Sequence, residues 1–169
     1  MAIRPMVYEP DPVLRTEAKP VTDFGEDFQV LVDDMFETMY ANQGCGLAAP
    51  QIGISLTLSV IDVSADKSGQ FVIVNPEIIE TRGTHEMTAG CLSVPGSYGK
   101  VKRAAWVKVR ALDRHGKPFE VEGEGVLSEC LQHEIDHLRG KLFIDHLQPL
   151  KKKMLQTKSR KFRKKNKLD

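Results

Sequence analysis

Residues 130–140 read CLQHEIDHLRG, and within them His133, Glu134 and His137 form the pattern H-E-x-x-H. On a helix this spacing sets two imidazoles one turn apart on one face, with a carboxylate beside them that can serve as a general base. Counting 100° per residue from Val126, the residues Val126, Cys130, His133 and His137 fall within about 60° of one another, and Glu134 lies just to one side. Leu127, Leu131, Ile135 and Leu138 continue that arc inward, while Ser128, Glu129, Gln132, Asp136 and Arg139 take the opposite arc. The histidines therefore belong to the stripe expected to face the core. Burying two imidazoles and a carboxylate without partners would cost on the order of several kcal/mol, and a shared metal ion removes that objection. H-E-x-x-H also arises by chance on exposed helices; its place on the buried stripe argues against that reading here.

Working outward, the helix is expected over about Val126 to Arg139, with Gly140 placed to end it. Upstream, apolar residues at 24, 28, 31, 32, 35, 36, 39 and 40 have helical spacing, with Asp23 as the expected N-cap and Gly44 just beyond the end. Residues 56–62, 71–75 and 106–112 read as strands from their β-branched content and partial alternation. Gly116 and Pro118 punctuate a hairpin leading into FEVEG. The order is helix, several strands, helix, without βαβ alternation. That predicts a single α+β domain with mixed or antiparallel sheets packed around the H-E-x-x-H helix, and a further helix at the C-terminus.

A catalytic site of this type takes three protein ligands and keeps one position open, so two histidines are not enough. The extended motif H-E-x-x-H-x-x-G-x-x-H keeps its glycine here, Gly140, but has Phe143 where the third histidine would stand. No glutamate follows His137, and Asp145 and His146 lie past the helix-ending glycine. Upstream, thiolates are strong ligands for zinc or ferrous iron, and Cys45 and Cys91 both stand beside glycines that let backbone approach an ion. On chemistry alone these two cysteines are close rivals.

The motifs GCGLAAPQ (44–51), GCLSVPG (90–96) and QHEIDHLRGKLF (132–143), in this order, resemble those of the peptide deformylases. The resemblance runs from DPVLR near the start to HLQPL at 146–150. It implies that Cys91, His133 and His137 hold one divalent metal, ferrous iron in the family, with zinc or nickel forms also found. The implied reaction is hydrolysis of the formyl group from N-formylmethionyl nascent chains, releasing formate. Glu134 would take the proton of the attacking water and return it to the leaving amine. The side-chain amide of Gln51 and the backbone N–H of Leu92 would donate to the developing oxyanion, worth roughly 3–4 kcal/mol each. The glycine-rich segments would let an extended peptide pair with the main chain around Cys45, Gly46 and Gly90. Val126 and Cys130 are candidates for the pocket that takes the methionine side chain, and Tyr98 for one of its edges. The family reads E-G-C-L-S where this chain has Ala89-Gly90-Cys91-Leu92-Ser93. Glu129, about 40° from His133 on the wheel, is the residue expected to replace part of the lost charge.

Composition bounds the remaining possibilities. The 169 residues are 41% hydrophobic and 28% charged, as in a soluble globular domain, and no apolar run approaches a membrane span. The N-terminal MAIRPMVYEPDP lacks an apolar signal core, and three cysteines do not make a disulfide framework, so a reducing, cytoplasmic setting is expected. Residues 151–169 carry ten Lys/Arg against one acid, whereas residues 1–150 hold 22 acids and a net charge of −8. This divides the chain into a catalytic part, 1–150, and a basic helix, 151–169, which would meet a polyanion such as ribosomal RNA or simply be solvated. The enzyme is expected to act as a monomer. Two other readings remain: a zincin peptidase, whose activity would survive Cys91→Ser, and an RNA binder, whose binding would need no metal.

Overall fold

The computed structural model describes residues 2–168. Five strands run in chain order across one antiparallel sheet: β1 (Gly46–Ala48), β2 (Leu58–Ile61), β3 (Phe71–Cys91), β4 (Val94–Leu112) and β5 (Pro118–Glu124). Helix α1 (Glu26–Ala41) precedes them; α2 (Gly125–Leu138) and α3 (Pro149–Asn166) follow. This is the α+β domain expected. Its dominant feature was only half legible: the strands read at 71–75 and 106–112 are the inner ends of one long β3–β4 hairpin. In its outer half β4 is buried at every second position, but those positions are Ser97, Gly99, Val101 and Arg103, so burial alternates while hydrophobicity does not. Register shifts between Val74 and Glu77 and between Ile78 and Glu80 interrupt the ladder part-way along it, and such bulges bend a strand.

Three apolar clusters follow. Val32, Met35 and Met39 of α1 pack on Leu47, Leu58 and Val60. Leu131 and Ile135 of α2 pack on Ile61, Ile73, Val107 and Val109. At the hairpin's far end Ala89, Val94 and Val101 meet Leu14, Phe143, Ile144 and Leu155 of α3. Helix α1 starts later than the apolar spacing predicts: its N-cap is Gly25, and Asp23 instead accepts the Gly25 N–H.

The arc of α2 expected to face solvent is in contact with β4. Strand β5 ends at Glu124 opposite Trp106. Past that point the N–H of Ala104 donates to Gln132 Oε1, and its carbonyl accepts from Ser128 Oγ and Gln132 Nε2. Polar side chains of α2 thus complete a ladder that β5 leaves open, and Ser128 is fully buried. Gly140 ends the helix at φ +79°, and a Cβ there would lie 2.7 Å from Arg15 O, so both conformation and space require glycine.

Candidate metal centre and active site

Two elements build the centre. Helix α2 carries His133 and His137; the tip of the β3–β4 hairpin carries Cys91, where Cys91 pairs with Val94 across a two-residue turn. His137 Nε2 lies 3.1 Å from His133 Nε2 and 3.2 Å from Cys91 Sγ, and all three donor atoms lie within 4.8 Å of one another. Ligands around one tetrahedral ion at ordinary bond lengths are about 3.3–3.6 Å apart, so the set is close to ligating geometry. Burial holds both imidazoles neutral, pushing His133 well below the usual histidine value and His137 down to about 4. Burial pushes the Cys91 thiol up to about 12. Two lone-pair nitrogens and a sulfur facing one point, with no acid among them, suit a cation, whose charge would favour the thiolate. Phe143, the residue that replaces a third histidine, stacks beside His133 with ring centroids 6.4 Å apart.

Ser59 Oγ approaches Glu134 Oε1 at 3.4 Å. Burial raises the Glu134 pKa well above the usual carboxylate value. Gly46 makes room for it: a Cβ at that position would stand 2.6 Å from Glu134 Oε2 and 2.9 Å from Cys130 Sγ. Gln51 sits in a short 3-10 turn, Ala49–Ile52, and its amide orientation is fixed. The Ala48 N–H donates to Oε1 at 2.9 Å, so Nε2 points towards Ser93 Oγ at 3.2 Å and Cys91 Sγ at 3.6 Å.

These groups open onto a cavity of about 630 Å³. Its wall includes Gln51, Leu92, Glu134, His133, Cys91, Cys45, Gly46, Gly90, Tyr98, Val126 and Cys130; His137, fully buried, stands behind it. Cys130 is buried in the wall, whereas Val126 is 54% and Tyr98 63% exposed, which puts both at the rim. Tyr98 is seated by Gly90, where a Cβ would fall 2.7 Å from its ring. Phe162 and Leu168, from the end of α3 and just beyond it, also reach the cavity, although the lysine-rich sequence around them gave no sign of it.

Arg103 was likewise unmarked among the lysines of β4, yet its side chain is 3% exposed. Its Nε donates to Glu129 Oε1 at 2.9 Å and its Nη1 to Asp136 Oδ2 at 2.8 Å. Asp136 is also 2.7 Å from His146 Nε2. One guanidinium therefore ties together two turns of the helix that carries His133 and His137. Glu129, the acid paired with Arg103, also lines the cavity.

Comparison with known proteins agrees with this geometry. The polypeptide deformylase family matches residues 3–153. The chain belongs to the peptide deformylase family. It is 49% identical over 158 residues to a peptide deformylase of Tolumonas auensis, covering 94% of this chain and 95% of that one. A peptide deformylase crystal structure from Legionella pneumophila superposes with a TM-score of 0.95 at 59% identity, covering 98% of both chains. One from Synechococcus elongatus, in complex with actinonin, gives 0.86 at 38% identity, over 90% of this chain and 85% of that one. Peptide deformylases remove the N-formyl group from the terminal formylmethionine of nascent peptides, and this chain is a hydrolase of that kind. Its cysteine and two histidines could hold the metal such an enzyme uses. Among the described residues no helix is long and apolar enough to cross a membrane.

Proposed function

We propose that Cys91, His133 and His137 hold one divalent ion, ferrous iron in the native enzyme, with zinc or nickel able to replace it. When bound, the ion supplies Lewis acidity and lowers the pKa of water. Glu134 receives the proton of the attacking water and delivers it to the departing amine of the methionine. The Gln51 amide, pointed by Ala48, and the Leu92 N–H donate to the oxygen that gains charge as the formyl carbon becomes tetrahedral. The peptide lies extended along Cys45–Gly46 and Gly90, its first side chain entering the pocket against Cys130, with Val126 and Tyr98 at the rim. The observation that carries this reading is the convergence of the ligand set, a buried glutamate and an oriented amide on one cavity.

The same reading divides the chain functionally at residue 150. Lys158, Lys161, Lys164 and Lys165 are exposed on α3, and they would hold a monomeric, cytoplasmic enzyme near ribosomal RNA, where formylated chains emerge. The direct test is formate release from a formyl-Met tripeptide by anaerobically purified protein with its metal quantified. Activity should vanish in Glu134→Ala with metal retained, and in Cys91→Ser with metal lost. Formate release and metal content that both survive Cys91→Ser would overturn the ligand assignment.

A further inference from the structure

Cys45 and Cys130 take no part in the ligand set, yet their sulfurs are 3.8 Å apart. They are neighbours in the pocket wall, carried there by different elements. Cys45 is exposed on the non-helical segment entering β1, and Cys130 is buried on the inner face of α2. The backbone between them is tight: Cys130 Sγ donates to Cys45 O at 3.5 Å, and the missing side chain of Gly46 leaves that strand lying on the sulfur. A disulfide needs an S–S separation of about 2.05 Å. The remaining approach, somewhat under 2 Å, is within reach of side-chain rotation at an exposed residue outside a helix. The two thiols are not equivalent. The hydrogen bond between them lowers the pKa of Cys45 and raises that of Cys130, which burial raises further. Cys45 is therefore the accessible nucleophile, and Cys130 the partner that holds the proton.

The geometry points to Cys45 and Cys130 as an oxidisable dithiol, a modification site for peroxide, whose disulfide narrows the pocket that takes the peptide's first side chain. The steps balance with hydrogen peroxide as the oxidant. The Cys45 sulfur attacks one peroxide oxygen, the O–O bond breaks, and the released hydroxide leaves as water with a thiol proton. Cys130 sulfur then attacks the resulting Cys45 sulfenic acid, the S–S bond forms, and a second water departs with the other thiol proton. Two sulfurs are oxidised and one peroxide is reduced. In a reducing compartment such a bond is transient and reversed by thiols, as suits a sensor rather than a structural cross-link.

The narrowing rests on the pocket assignment proposed above, but formation of the bond does not, so the test reads them separately. The protein loaded with zinc, which has no redox chemistry and so does not consume the oxidant, is exposed to one equivalent of hydrogen peroxide, alkylated, digested and mapped by mass spectrometry. The expected product is a peptide joining residues 45 and 130, lighter by two hydrogens and removed by dithiothreitol. In Cys130→Ser, dimedone should trap a sulfenic acid at Cys45 instead. Free alkylation of both cysteines after peroxide, or a cross-link to Cys91, would overturn the dithiol. For the linked protein, KM for a formyl-Met peptide should rise severalfold and recover on reduction with metal content constant. An unchanged KM in fully linked protein would overturn the narrowing, whereas absence of activity before oxidation would count against the proposed function alone.

Discussion

Removing the Glu129 carboxylate tests the role of the Arg103 pair. In Glu129→Ala the guanidinium stays buried, with 3% of its side chain exposed, but loses its 2.9 Å acceptor. Breaking a buried pair from one side costs about 3–5 kcal/mol. Asp136 remains at 2.8 Å, so the lower end applies, about 3 kcal/mol. For a domain of this size that corresponds to a fall in Tm of about 6–12 °C. Thermal unfolding followed by circular dichroism, with urea unfolding as a second measure, reads the change directly. Glu129→Leu combined with Arg103→Leu, set against the two single leucine variants, should lose less than their sum, giving a coupling of about 1.5 kcal/mol or more, because replacing both partners by apolar groups removes the stranded charge. Because Glu129 also lines the cavity, KM should change along with stability. A single variant within about 2 °C of the parent and a coupling near zero would refute the reasoning. Arg103 would then be held by Asp136 alone, and Ala89 would stand uncompensated.

Gln51→Ala should lower kcat by roughly a hundredfold while leaving metal content unchanged, since it removes one oriented donor; an effect confined to KM would deny it that role. Gly46→Ala places a methyl group 2.6 Å from Glu134 Oε2, so kcat should fall by about ten- to a hundredfold through displacement of the base, and full activity would show that Glu134 tolerates the shift. Burial alone would raise the pKa of Asp34 and Asp62, but hydrogen bonds from Arg4 and Ala2 to the first, and from Ser64 and Tyr40 to the second, hold both below the ordinary value. Their stabilisation is therefore complete above about pH 4 and is lost as pH falls through the lower folded-state values, so urea midpoints should drop most steeply below about pH 4; Asp34→Asn and Asp62→Asn should flatten that drop. Replacing Lys158, Lys161, Lys164 and Lys165 by glutamate should weaken co-sedimentation with ribosomes and leave tripeptide hydrolysis intact. Charge reversal is a cleaner test than deleting the helix, because Leu155 is in the core and Gln156 and Arg160 bind Glu9.

What the sequence made legible was local. The helix of His133 and His137 declares itself because the two imidazoles, the Glu134 carboxylate and the apolar face share one period. The third ligand does not, because spacing says nothing about which distant cysteine a hairpin tip will deliver; only the resemblance singled out Cys91 over Cys45. The outer half of that hairpin was invisible for a related reason: the inward positions of β4 there are Ser97, Gly99, Val101 and Arg103, so burial alternates along it and hydrophobicity does not. Arg103 looked like one more basic surface residue. Its burial depends on Glu129 and Asp136, which are next to it only once α2 has docked. The contacts of α3 were masked by its lysines, since Leu155, Ser159 and Arg163 bury a narrow stripe beneath a charged exterior.

An ion held by the proposed ligand set would also act on the chain as a clasp. Cys91 and His137 are 46 residues apart in sequence, and the intervening segment contains all of β4, β5 and most of α2. An ion bound by both ends closes that loop in the folded chain and has no comparable site in the unfolded one. Treated like a cross-link of the same span, the closure removes about 4 kcal/mol of chain entropy from the unfolded ensemble. The ion would then be a determinant of how long the fold lasts as well as of what it does. Stripping it should speed unfolding and hydrogen exchange in β4 and α2 before it alters anything in α1, which lies outside the loop.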